Sequence, residues 1–167
     1  MIQINSDWEE KTTVKKGDYG ENLVHSFLES KGYVMYLPTT KKAHAFDRLA
    51  VRNKTEILIV ECKTKARRTY FEDTGIDIRH YEEYIHITNK YHLHLFIFFI
   101  DEYLGEIYGN FLVELVKPKF IKGKQYPLEH KNIIYFPLEN MKRDIAKLNK
   151  EDTKYLINNS TRNYEYK

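Results

Sequence analysis

The chain has 167 residues, 42% of them hydrophobic and 31% charged, with seven Gly, four Pro and a formal net charge of +3. That composition supports one compact domain with a real core and excludes wholesale disorder and collagen-like repetition. A single cysteine, Cys62, admits no intramolecular disulfide and fits a reducing compartment. The polar start and the lack of any apolar run near the ~20 residues of a membrane helix predict neither signal peptide nor span, so the expected location is cytoplasmic.

Residues 1–16 are polar, lack a sustained period and read as an arm or a loosely docked helix. Leu23, Val24, Phe27 and Leu28 recur at helical spacing and predict a helix over 18–30, closed by Lys31-Gly32. A short strand follows over 33–37, stopped by Pro38. Residues 43–52 alternate as a strand, with Ala43, Ala45, Asp47, Leu49 and Val51 on one face and His44, Phe46, Arg48, Ala50 and Arg52 on the other. Asn53-Lys54 predicts a tight reversal into residues 56–65, whose apolar run from Ile57 to Val60 marks a central strand covered on both faces.

Residues 67–75 read as a polar loop ending in a capping box from Thr74 to Asp77, after which Ile78, Tyr81, Ile85 and Thr88 line one side of a helix. A second apolar strand covers 92–100. Strand, helix and strand in that order form a right-handed parallel crossover, so the expected core is helix, three antiparallel strands, helix, strand. Beyond Asp101 the pattern predicts a hairpin about Gly109-Asn110, a strand over 132–136, and a helix over 138–148 that continues through 150–158 into a frayed tail. The expected organisation is an arm over 1–16, a core over 17–101, and an α+β extension over 102–167 packed on that core.

The near-neutral total conceals a local excess. Between positions 41 and 68 stand nine basic residues (Lys41, Lys42, Arg48, Arg52, Lys54, Lys63, Lys65, Arg67, Arg68) against three acidic ones (Asp47, Glu56, Glu61), a pattern that points to a polyanionic partner. The acids are as informative as the bases. Asp47 shares its face with apolar residues, and alternation puts Glu61 and Lys63 in line with Ile57 and Ile59, cross-strand from Asp47. Glu21, three residues before Val24 and seven before Leu28, faces the same sheet. A carboxylate left dry among apolar side chains costs several kcal/mol (roughly 2–7 for a polar group, more for an ion), so a partner or a metal is expected. Oxygen donors of this kind suit Mg²⁺ or Mn²⁺.

Gly17-Asp18-Tyr19-Gly20-Glu21 on the first helix, Phe46-Asp47-Arg48-Leu49-Ala50-Val51 on a strand and Val60-Glu61-Cys62-Lys63 on the next resemble the PD-(D/E)XK nuclease superfamily. Within it the chain is most similar to archaeal-type Holliday-junction resolvases and related phage or mobile-element endonucleases, over about residues 16–101. The resemblance implies a restriction-endonuclease-like αβββαβ core, with a mixed central sheet flanked by helices. It further implies a metal-dependent endonuclease that hydrolyses DNA phosphodiester bonds. Asp47, Glu61 and the Cys62 backbone carbonyl would bind Mg²⁺ or Mn²⁺, Lys63 would orient the attacking water and stabilise phosphoryl charge, and Glu21 would hold a second ion or a metal-bound water. The Cys62 thiol, pointing the other way, reads as core packing.

Lys41, Lys42, Lys65, Arg67 and Arg68 flank this site where a DNA backbone would pass, and exposed aromatics such as Tyr70 and Phe71 permit base stacking. Thr40, Arg79, His80 and Tyr84 are accessory candidates, since the loop at 38–42 and the second helix depart from the usual resolvase residues. A resolvase-like action implies a homodimer with twofold symmetry. RNA is the alternative substrate, and a catalytically inactive nuclease-fold protein acting as a nucleic-acid-binding or assembly module is the alternative function. No membrane partner is expected.

Overall fold

A computed structural model describes residues 11–39 and 44–161. The first helix, α1, spans Thr12–Ser30 and so begins inside the segment read as an arm. It buries Gly20, Val24 and Leu28, one stripe at four-residue spacing. It ends in a full Schellman motif: Gly32, at φ 83°, donates to the Glu29 carbonyl and Tyr33 to that of Leu28. Gly20 is there for space, since a Cβ at that position would lie 1.9 Å from Thr64 Oγ1.

Strands β1 (Val34–Tyr36), β2 (Arg48–Arg52) and β3 (Glu56–Thr64) form an antiparallel meander. Asn53 and Lys54 both take positive φ in the reversal, as the sequence predicts. Strand β2 is shorter than the alternation suggested: residues 45–47 bend, leaving Asp47 just outside the ladder. After β3 comes a strand unseen in the sequence, β4 (Asp73–Asp77), and the following helix α2 (Ile78–Tyr91) is capped by Asp77 accepting from the Arg79 N–H, not by Thr74. Thr74 is instead buried in β4, where Gly75 lets the backbone of a later strand approach.

Strand β5 (His94–Asp101) returns parallel to β3, and β6 (Glu106–Phe111) follows antiparallel to β5. The hairpin expected about Gly109-Asn110 does not form. Gly109 is needed for close packing inside a continuous strand, because a Cβ there would sit 2.0 Å from the Ile97 carbonyl oxygen. A short helix α3 (Leu112–Leu115), a ribbon of β7 (Lys119–Ile121) and β8 (Lys124–Tyr126), and β9 (Leu128–His130) and β10 (Ile133–Pro137) come next. Residues 142–147 form strand β11 (Lys142–Lys147) rather than a helix, and α4 (Lys150–Asn158) is a separate element.

The result is an α/β fold with a mixed six-stranded sheet ordered β1-β2-β3-β5-β6-β11, parallel only between β3 and β5. A smaller sheet, β4-β10-β9, packs nearby. Helix α1 covers the face of Ala50, Leu58, Val60, Cys62 and Ile100, whereas α2 covers that of Ile59, Leu95, Ile97 and Phe99. Helix α4 docks on α1 through stacked Tyr19 and Tyr155 rings, 4.1 Å apart, and a Tyr19 hydroxyl that donates to Asp152. No described helix is long and apolar enough to cross a membrane.

Candidate active site

The register fixes what can meet. Arg48 pairs with Val60, so β2 leaves the ladder one residue short of Glu61, and the Cys62 N–H loses its cross-strand acceptor. Asp47 supplies one: its Oδ2 accepts from the Cys62 N–H at 2.7 Å. Alternation along β3 then puts Glu61 and Lys63 on the α2 face and Cys62 on the α1 face. Glu61, only 3% exposed, takes the Lys63 ammonium on Oε1 at 2.5 Å. Its Oε2 is buried and accepts no hydrogen bond among the described residues. That is an expensive state for a carboxylate oxygen.

The charges press on each other. Burial, then the neighbouring Glu61 charge, pushes Asp47 up to about 6, against the pull of the Cys62 N–H and Lys63. Burial, then Asp47, pushes Glu21 up to about 7. Burial works against the Lys63 ammonium, yet Glu61 outweighs it and holds Lys63 above its ordinary value. Burial, reinforced by the carboxylates of Asp47, Glu21 and Glu61, lifts the Cys62 thiol well above the usual range, so it is a neutral member of the core.

Not all the expected residues converge. Glu21 stands on the α1 side, its Oε2 held 3.0 Å from Arg48 Nη1, which also donates to the Asp47 carbonyl. Arg48 went unassigned in the sequence, though its place beside Ala50 on the face that α1 covers was a usable signal: a buried arginine needs an acid, and Glu21 is the one α1 offers. On the other side of the sheet Tyr84 is buried beside Glu61; burial and then that carboxylate hold its phenol far above the usual range. His80, stacked 6.1 Å from Tyr84, is held below its ordinary value by burial and by the Lys63 charge. Arg79 is exposed and paired with Asp77.

Three cations expected to face DNA are committed inside the fold. Lys65 Nζ donates to the Gly75 carbonyl at 2.7 Å. Arg67 binds Asp101 at 2.6 Å and Glu106 at 2.7 Å, with its guanidinium 4.9 Å from the Tyr108 ring centre. Arg68 forks onto Asp73 and lies over Tyr135. The physical reason is that Asp73 and Asp101 are themselves buried and need cationic partners. Thr40, Lys41 and Lys42 lie outside the described residues.

The donor set fits a hard divalent cation in part. Asp47 and Glu61 offer oxygens, one of them unsatisfied, and Mg²⁺ keeps several waters of its own and needs only one or two carboxylates. No group of three or more His, Cys, Asp or Glu side chains forms a ready metal cage among the described residues, as the Arg48 hold on Glu21 leads one to expect.

Neither a protein-family model nor a curated protein sequence matches the chain. Among solved structures it is similar to Hjc, a Holliday junction resolvase from the hyperthermophilic archaeon Archaeoglobus fulgidus, with a TM-score of 0.52 over 75% of this chain and 86% of that one, at 9% identity. The likeness is one of fold: the mixed α/β sheet flanked by helices described above is also the frame of that resolvase-like nuclease.

Proposed function

We propose that this chain is a metal-dependent endonuclease that hydrolyses DNA phosphodiester bonds, structure-specific in the manner of a resolvase. The observation that carries the reading is the buried, unpartnered Glu61 Oε2, beside Asp47 and within one strand step of Lys63. Asp47, Glu61 and the Cys62 carbonyl would hold Mg²⁺ or Mn²⁺. When bound, such an ion polarises the phosphoryl oxygen and lowers the pKa of its water.

The chain's own residues supply the rest. The Lys63 ammonium, kept charged by Glu61, orients the attacking water and meets the negative charge that builds on the phosphate. The Asp47 hydrogen bond to the Cys62 N–H fixes one carboxylate oxygen and leaves the other to bind. Tyr84 walls the Glu61 side of the site from water. Arg48 joins Glu21 to the Asp47 carbonyl, and from that position Glu21 would serve a second ion or a metal-bound water. Lys41 and Lys42 remain the proposed backbone contacts, and paired cuts would require a homodimer with twofold symmetry.

The test is incubation with plasmid, linear duplex and four-way-junction DNA, and with RNA, in Mg²⁺ or Mn²⁺. Cleavage of branched DNA that disappears in EDTA and in Asp47→Ala and Lys63→Ala is the expected result. Undiminished cleavage in those two variants sinks the assignment; salt-sensitive DNA binding with no cleavage in the wild type leaves the inactive binding module as the better reading.

A further inference from the structure

A second feature, away from the carboxylates, is not explained by that chemistry. The loop joining β3 to β4 carries Tyr70, which is 91% exposed, next to Phe71. The loop is anchored at both sides. Lys124 Nζ lies 3.8 Å from the centre of the Phe71 ring and the Arg68 guanidinium 4.3 Å from it. Asp73, which binds Arg68, also accepts from the Tyr126 hydroxyl at 2.7 Å, tying the loop to the β7–β8 ribbon.

That ribbon is a tight hairpin, Ile121 pairing with Lys124 across Lys122-Gly123, both at positive φ. Between loop and ribbon is a cleft of about 100 Å³ walled by Tyr70 and Phe71 on one side and Ile121, Lys124 and Tyr126 on the other, with Lys122 at its tip. Glu72 and Glu139 also line it, and Glu139 is neutralised by Lys119 at 2.9 Å. The cleft is well below the roughly 300–1,000 Å³ of a drug-sized ligand site, but it is open to a single flat ring.

We propose that this cleft is a base-stacking subsite that takes an unpaired nucleotide of the substrate, the Tyr70 ring stacking on the base and Lys122 and Lys124 meeting the adjoining phosphates. Aromatic platforms interleaved with ammonium groups are the recurrent chemistry of single-strand recognition, because every base offers a π-face and every nucleotide a phosphate. The contacts on Phe71 anchor the loop backbone that carries Tyr70, which lowers the ordering cost of binding. Tyr70 follows Lys63 by seven residues, which span at most about 25 Å fully extended. At ~3.4 Å per nucleotide, the stacked base lies within roughly seven nucleotides of the phosphate at Lys63. This inference rests on the nuclease reading for its substrate, and it adds a preference for branched or frayed DNA with an unpaired base beside the cut.

The experiment measures binding of a fluorescein-labelled oligothymidylate and of a fully paired duplex by anisotropy, in the presence of EDTA, for wild type, Tyr70→Ala, Tyr70→Phe, Lys122→Ala and Phe120→Ala. Phe120 is exposed too, but alternation puts it on the opposite face of the ribbon from the cleft. Tyr70→Ala weakens oligothymidylate binding about five-fold or more, Tyr70→Phe restores it, Phe120→Ala and the duplex are unaffected, and Lys122→Ala flattens the salt dependence. Equal binding by Tyr70→Ala, an equal loss in Phe120→Ala, or a change in oligomeric state on removing Tyr70 overturns the subsite. Failure of the wild type to bind either DNA overturns subsite and nuclease reading together. Cleavage without a Tyr70 effect removes only the subsite, and a Tyr70 effect without cleavage removes only the nuclease.

Discussion

Two clusters of buried charge lie along the course of β3, and they are built on opposite principles. Downstream, Arg67 and Arg68 meet Asp101, Glu106 and Asp73, and the acceptors are filled: Asp101 takes Arg67 on one oxygen and the Tyr103 and Leu104 N–H groups on the other. Asp73 takes Arg68 twice and the Tyr126 hydroxyl. Upstream, Asp47 has been lifted to about 6 and Glu61 keeps an unfilled oxygen. The first cluster satisfies its ions with protein. The second has a carboxylate oxygen with no hydrogen-bond partner among the described residues, and the proposed metal site rests on that contrast and not on burial, since both clusters hold buried acids.

The sharpest way to break the contrast is to remove one member from each. In the upstream cluster, Asp47→Ala or Lys63→Ala is expected to lower the rate of Mg²⁺-dependent cleavage by about 10²–10³-fold or more, with the urea midpoint of Asp47→Ala unchanged or raised and that of Lys63→Ala lowered, because it strands the buried Glu61. In the downstream cluster, Asp101→Ala leaves Arg67 with Glu106 as its sole carboxylate partner among the described residues and unpairs the Arg67, Tyr103 and Leu104 N–H groups. Its expected cost is about 3–5 kcal/mol in urea unfolding, a large part of a typical domain's stability. If Asp101→Ala unfolds no more easily than Asp47→Ala, the two clusters are not different in kind.

A milder perturbation acts on the approach of α1, which carries Glu21. Gly20→Ala drives a methyl into Thr64 Oγ1, with an expected loss of about 1–3 kcal/mol. Thr64→Ala should be tolerated, because that hydroxyl is buried without a hydrogen-bond partner among the described residues. In the double variant most of the Gly20→Ala cost should vanish, a coupling that a thermodynamic cycle measures directly.

How much of this was legible follows from which signals are local. The αβββαβ order could be read because α1, β3 and β5 have strong apolar periods of the right length. The Asp47–Glu61–Lys63 triad was readable because an acid on an apolar face violates its period. Beyond Asp101 the local signal misled: Gly109 reads as a turn, yet its lack of a side chain serves close packing against β5, a contact 12 residues away in sequence. Residues 138–148 look helical by spacing, but beyond a single helical turn at Leu138–Asn140 residues 142–147 are drawn into the sheet edge beside β6. The cationic run failed for a related reason. Counting Lys65, Arg67 and Arg68 as surface charge ignored the Gly75 carbonyl that takes Lys65, the nearby Asp73 that takes Arg68, and Asp101 and Glu106, which only the folded topology brings to Arg67.

The pH dependence of the two clusters supplies the finest test. Asp47 and Glu21 have folded values, about 6 and about 7, above their ordinary 3.8 and 4.5. The folded state therefore keeps protons that the unfolded chain gives up, and stability falls as pH rises from about 4 to about 7. Asp47→Asn should match wild type at the acid end of that window and exceed it at pH 8 in thermal unfolding. Because a cation competes with the same protons, Mg²⁺ should raise the melting temperature at pH 8 and not at pH 5. His80, held below its ordinary value by burial and by the Lys63 charge, is the control: His80→Asn should leave the pH window of the Mg²⁺ shift where it was. If that variant abolishes the window, the titrating group is His80 and not the carboxylates. The upstream cluster would then lose its claim to be the one left open for a cation.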